Sequence, residues 1–219
     1  MKNTKIRSLK SPIYKDKDPE PGVIFLYHGK KSVVISAQKE LDALDEKYNG
    51  HIYIFDGGSE ENPIVLCPGK FFECDLIIIA NSFVKIVNGN YDARFFPAKI
   101  FALENTTVNV TRANSVYARC NAKVYAEDSS RVCATDSATV VAKDYARILA
   151  YDNANISGTD YVKVIANDNA AVTLFGKEAG KCYDFSSVSL FDNSSATVNK
   201  HVFVKHKDED ASVVILENE

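Results

Sequence analysis

The chain has no apolar run approaching the roughly 18 to 20 residues of a membrane-spanning helix. Its longest, Leu76 to Ala80, is strand-sized, so no membrane role is expected. There is no excess of positive charge either. Twenty-six Lys and Arg stand against 29 Asp and Glu, a net charge of -3, which excludes the footprint of a general nucleic-acid binder. The five Cys show no paired spacing, so a disulfide framework is not expected and a reducing compartment fits. Met1 to Asp18 holds no apolar stretch and does not read as a secretory signal. Gly57-Gly58 reads as a turn, and neither GxGxxG nor GxxxxGK[ST] occurs. The four His are scattered, and His201 and His206 are five apart, facing opposite ways on a strand. No metal and no cofactor are expected.

What is present is a repeat. In blocks of eight from Asn121 the chain reads NAKVYAED, SSRVCATD, SATVVAKD, YARILAYD, NANISGTD, YVKVIAND. The fourth position is Val or Ile nine times without a slip, from Val108 to Val172. Asp closes the block at Asp128, Asp136, Asp144, Asp152, Asp160 and Asp168, and again at Asp184 and Asp192. An even period keeps the same side chains on one face of an extended strand. On a helix, Ala122, Val124 and Ala126 would scatter to three azimuths. The parity extends upstream through Cys74, Leu76, Ile78, Ala80, Ser82, Val84 and Ile86, placing all of these inward. Cys120 and Cys182 share it and read as small core residues, whereas Cys133 faces out.

Strands of about five residues cannot bury a face alone, but stacked coils can. The expected fold is therefore all-β, a parallel β-solenoid (β-helix). Two octads per coil give 16 residues and two facing sheets; three give 24 and a triangle. Ala and Val cannot fill a triangle with sides of eight residues, which favours 16. That offset stacks Tyr145 on Tyr161 and Glu127 on Lys143. It also aligns Arg131, Arg147 and Lys163, which like-charge repulsion opposes. Residues 1–67 are read as an N-terminal capping region with a helix over Ala37 to Tyr48, capped by Ser36 and ended at Asn49-Gly50. Residues 68–200 are the solenoid, and 201–219 form capping strands that close the far end. Asn88 to Phe96 and Lys177 to Phe185 are the two stretches long enough to wall a groove.

The octad in SATVVAKD and YARILAYD resembles repeats in uncharacterised bacterial and prophage proteins. The likeness covers Asn105 to Ala171, about a third of the chain. It implies a bacterial or phage-associated repeat protein, cytoplasmic or assembled into a phage-type particle, with no catalytic residues to carry over. Acyltransferases with a left-handed β-helix have a hexapeptide period, and calcium-binding β-rolls a glycine-rich nonapeptide; the octads match neither.

Three sets of residues are candidates for function. The Asp series falls at coil corners, where each carboxylate is expected to accept backbone N–H groups of its own turn rather than form a cation ladder. Outward aromatics, Tyr117, Tyr125, Tyr145, Tyr151, Tyr161 and Phe175, could stack on a sugar or meet a protein. Outward Val141, Leu149 and Ile165 point to an interface, with Tyr117 and Tyr161, in a homo-oligomer packed sheet face to sheet face. The expected function is a non-enzymatic structural or binding module presenting a rigid repetitive surface to a protein or glycan. The alternative is a carbohydrate-active enzyme on a β-helix, with a cleft lined by Asp92, Arg94 and Asp184.

Overall fold

The computed structural model describes residues 6–8, 24–27, 30–71, 73–74, 76–87, 99–111, 115–176, 179–183 and 186–216. Among them, 13 strands form a broad sheet and nine a narrow one. From His51–Phe55 onward successive strands alternate between the sheets, so the chain winds as a β-solenoid of about ten turns. Pairing is parallel except where Ile24–Tyr27 meets Lys30–Ile35. Through the octads the register advances by 16: Val116 pairs with Val132 in the broad sheet, and Val124 with Val140 in the narrow one. The flattened two-octad coil is the structure adopted.

The inward set is the one that parity assigns. Ala122, Val124 and Ala126 are wholly buried, as are Ala138 and Val140. In the narrow sheet the inward column Ala126, Ala142, Gly158 continues as Leu174 and Leu190, and Leu174 is the first long side chain in it after the octad alanines. Its neighbours make room. A Cβ on Gly158 would lie 3.1 Å from one Leu174 methyl, and a Cβ on Gly180 would lie 3.0 Å from the other. Two glycines thus flank Leu174 in the close-packed core.

Strands also continue upstream of residue 67. Lys30–Ile35 and His51–Phe55 belong to the broad sheet, and Ile64–Leu66 edges the narrow one. Coils here are longer, because Ile52 pairs with Ile77 and Ile77 with Ile100. In Leu76–Ala80 the inward residues are Ile77 and Ile79, one step off the expected Leu76, Ile78 and Ala80. The corner after this strand is one residue shorter. Asn81 takes the left-handed turn (φ 47°), and Ser82 goes directly into the core. The strand is apolar at both parities, so a one-residue slip leaves no mark in its sequence.

The helix spans only Gln38–Asp42, shorter than the expected 37–48. Ser36 does not cap it with its hydroxyl; the Glu40 carboxylate accepts the N–H groups of Ser36 (2.7 Å) and Ala37 (3.1 Å). Beyond Asp42, the Asp45 carboxylate accepts the Lys47 N–H and its carbonyl accepts the Tyr48 N–H. That local turn competes with helical propagation. Leu41, Leu44 and Tyr48 still pack on the core. Lys15 to Gly22 and Asn88 to Phe96 lie outside the described residues. The expected wall at Lys177 to Phe185 contains a broad-sheet strand instead, Ala179–Cys182, paired with Lys163–Ala166. At the far end Phe203–Lys207 and Ser212–Leu216 add one strand to each sheet.

The Leu174 site yields a packing prediction. Leu174→Ala should cost about 2–5 kcal/mol as a cavity, and Gly158→Ala about 1–3 kcal/mol as overpacking. Combined, they should cost measurably less than their sum, because the added methyl occupies the vacated space. Denaturant unfolding of the two singles and the double reads the coupling; strict additivity would mean that the two sites do not share one space.

Candidate functional site

With the interior filled, candidate chemistry lies at the corners and on the two outer faces. At the corners, every described Asp that closes an octad has positive φ, from 54° at Asp152 to 74° at Asp160. Asp is among the few non-glycine residues that tolerate this region. The carboxylates do not serve their own turns. Asp136 Oδ2 accepts the Cys120 N–H, Asp144 that of Asp128, and Asp152 that of Asp136, at 3.1–3.2 Å. Asp168 does the same for Asp152, and Asp208 for Asp192. Each acceptor lies one coil on from its donor. Meanwhile the carbonyls of Asp136 and Asp152 accept the N–H groups of Asn153 and Asn169 at 2.9 Å. A left-handed corner turns its own N–H out of the strand ladder, and the next coil's carboxylate satisfies it. Cys120, expected in the core, occupies such a corner (φ 56°) and is only half-buried. Asp184 lies outside the described residues.

Among the described residues no group of three His, Cys, Asp or Glu side chains is placed to hold a metal ion. Cys182 is buried, which pushes its thiol up to about 12; it is a protonated core residue, not a nucleophile. His206 Nε2 and Asp208 Oδ1 are 2.8 Å apart. The Asp192 N–H, then His206, hold the Asp208 carboxyl below its ordinary range.

The outer face of the broad sheet carries three columns in register. The central one runs Val34, Tyr53, Ile78, Phe101, Tyr117, Cys133, Leu149, Ile165, then turns polar at Lys181 and Thr197. Beside it, Arg131, Arg147 and Lys163 form the like-charged column, all exposed to water, where screening makes the repulsion tolerable. On the other side stand Arg119, Thr135, Tyr151 and Asn167. The upstream part of this face is covered: Val34, Phe55, Ile78, Ala80 and Leu103 form a second buried cluster, with Tyr53, Leu76 and Phe101 against it. Downstream the stripe is open, with Tyr117, Leu149 and Ile165 each about two-fifths exposed (38%, 40%, 39%). The uninterrupted runs in HIYIF and LIIIA carry the signal for this cluster, since strands apolar at both parities are covered on both faces.

The candidate aromatics do not converge on one place. Tyr125 and Val141 are neighbours on the narrow sheet, so Val141 does not share a face with Leu149 and Ile165. Tyr145 and Tyr161 stack at a corner, centroids 5.2 Å apart and planes within 7°. Phe175 stacks on Phe191 (4.7 Å), and Phe191 on His206 (4.6 Å). Lys143 Nζ meets Glu127 Oε1 at 3.0 Å, as the 16-residue offset requires. Asp92 and Arg94 lie outside the described residues.

The corner geometry separates cation binding from backbone capping. Asp152→Asn retains an acceptor and tolerates the left-handed backbone, so it should be nearly neutral. Asp152→Gly should lose only the hydrogen bond, about 0.5–1 kcal/mol. Asp152→Ala should lose it and add about 1–2 kcal/mol for the left-handed conformation. The order Asn, Gly, Ala in melting temperature, unchanged by EDTA, is the expected result; a calcium-dependent rise lost in the Asn variant would indicate a cation ladder. No protein-family model matches this chain, and no curated protein or solved structure matches it.

Proposed function

We propose that the protein is a non-enzymatic structural or binding module presenting the open part of the broad sheet's outer face to a protein partner. The observation that carries this reading is the stripe Tyr117, Cys133, Leu149, Ile165, in unbroken register beside Arg131, Arg147 and Lys163. An apolar ridge with a cationic border fits a partner surface of apolar side chains edged by carboxylates. Stacked coils hold these groups at fixed spacing, so little side-chain order has to be gained on docking.

The glycan reading is weaker for a geometric reason. Sugars stack on the faces of aromatic rings, and here coil stacking turns ring faces toward each other. Tyr145 covers Tyr161, Phe175 covers Phe191, and Phe101 covers Tyr117. Within each pair the facing ring surfaces are withdrawn from a sugar. No helix is long and apolar enough to cross a membrane among the described residues. The octads' resemblance to prophage repeats makes the cytoplasm or a phage-type particle the setting we propose.

Leu149→Lys should fold with an unchanged melting temperature, because the residue faces out. It should weaken partner binding by about tenfold or more, as charging a central anchor does. Arg147→Glu should act chiefly on the association rate and reduce its salt dependence. Proteins retained on wild-type protein but lost from Leu149→Lys, identified by mass spectrometry, would support this reading. Glycan-array binding shared equally by both variants would sink it in favour of a carbohydrate ligand.

A further inference from the structure

The last strand, Ser212–Leu216, is chemically unlike two other edges of this solenoid. Where the narrow sheet begins, at Ile64–Leu66, the Gln38 side-chain amide occupies the edge. It accepts the Val65 N–H at 2.7 Å and donates to the Val65 carbonyl at 3.3 Å, while Leu41 of the same helix packs on the core. Where the narrow sheet ends, at Phe203–Lys207, the register is broken by a bulge opposite Val188/Ser189, and Lys205 and Lys207 stand on the strand. Plugs, bulges and lysines are the means by which proteins keep edges from pairing. Ser212–Leu216 has none of them. It is Ser-Val-Val-Ile-Leu, uncharged and without proline, in register with Ser195–Asn199 along its whole length. Val213 and Ile215 continue inward columns through Ala196 and Val198, both buried, yet Ile215 is 62% exposed. Outward Val214 is 58% exposed. Among the described residues, no strand pairs with its far side.

We propose that this strand is the docking edge for a second copy of the chain, paired antiparallel with its own counterpart about a two-fold axis. The sequence is self-complementary in that arrangement. A two-fold centred on Val214 sets Val213 opposite Ile215 of the second copy and the reverse. Inward residues then meet inward residues, and the exposed core is continued. An axis normal to the sheets reverses strand direction while keeping each side chain on its own face, so it is the two-fold that the inward match selects. The two-fold uses the same strand on both copies, so the contact leaves no further copy of that edge free. The tail-to-tail contact closes on itself and gives a dimer, not a filament.

Light scattering of the full chain across a dilution series tests this. The expected mass is that of a dimer at high micromolar concentration. Val214→Lys and Ile215→Lys should each raise the dimer dissociation constant by about tenfold or more, leaving the melting temperature of the monomer little changed. Val214→Cys should give an oxidised dimer whose linked peptide carries the substituted position from both copies. A wild-type chain that stays monomeric would overturn the proposal. So would a dimer that survives Val214→Lys and is lost in Leu149→Lys, which would place the contact on the broad face instead.

Discussion

Every coil depends on a backbone reversal at the eighth residue that does not cost the ladder a hydrogen bond. An eight-residue half-coil must turn within four residues to enter the opposite sheet. The left-handed corner achieves this, but it leaves one N–H aimed along the solenoid axis with no strand carbonyl above it. The Asp one coil on supplies the acceptor. Asp therefore meets two requirements at once, a conformation and a bond. Glycine would meet the first alone, and alanine neither. This also explains the near absence of glycine from the octads, although nearly every block ends in positive φ.

The even period was sufficient to read the strand parity of the octads, the two-octad coil and the stacking of Glu127 on Lys143 and Tyr145 on Tyr161. Each follows from rules that act within a strand or between identical neighbours. The misreadings share a different cause. Parity carried Cys120 inward because it treats the chain as extended throughout, and a left-handed corner interrupts that count. The slip in Leu76–Ala80 escaped because apolar residues fill both phases of that strand. The helix stopped at Asp42 because Asp45 offered its neighbours a competing turn, which propensity alone does not register. The five residues expected to form one patch were chosen by outwardness. Outward residues alternate between two sheets that face away from each other, so Val141 was separated from Leu149.

Identical stacking has consequences for the surface as well as the core. A residue repeated at the same octad position meets its own kind about 4.8 Å away. For tyrosine and phenylalanine that distance suits parallel rings, so the aromatics satisfy one another. For arginine and lysine it is repulsive, and the column Arg131, Arg147, Lys163 persists only because water screens it. A partner that placed carboxylates along this column would relieve a strain the free protein carries. The same is not true of the Asp corners, whose charge already faces backbone donors.

The narrowness of the octad core decides what it can hold. In the octads, two sheets joined by four-residue corners leave space for Ala-Val-Ala, and Leu174 lies against Gly158 and Gly180. No cavity large enough to enclose a ligand fits such an interior without prying the sheets apart. Long insertions at corners could build a cleft outside it, yet the segment 179–182 is given to a strand. On the flat outer faces and at coil ends, the ladder already sets the spacing of the side chains. Each coil thereby repeats one outward side-chain position at the strand spacing, which makes the outer face as regular as the core beneath it.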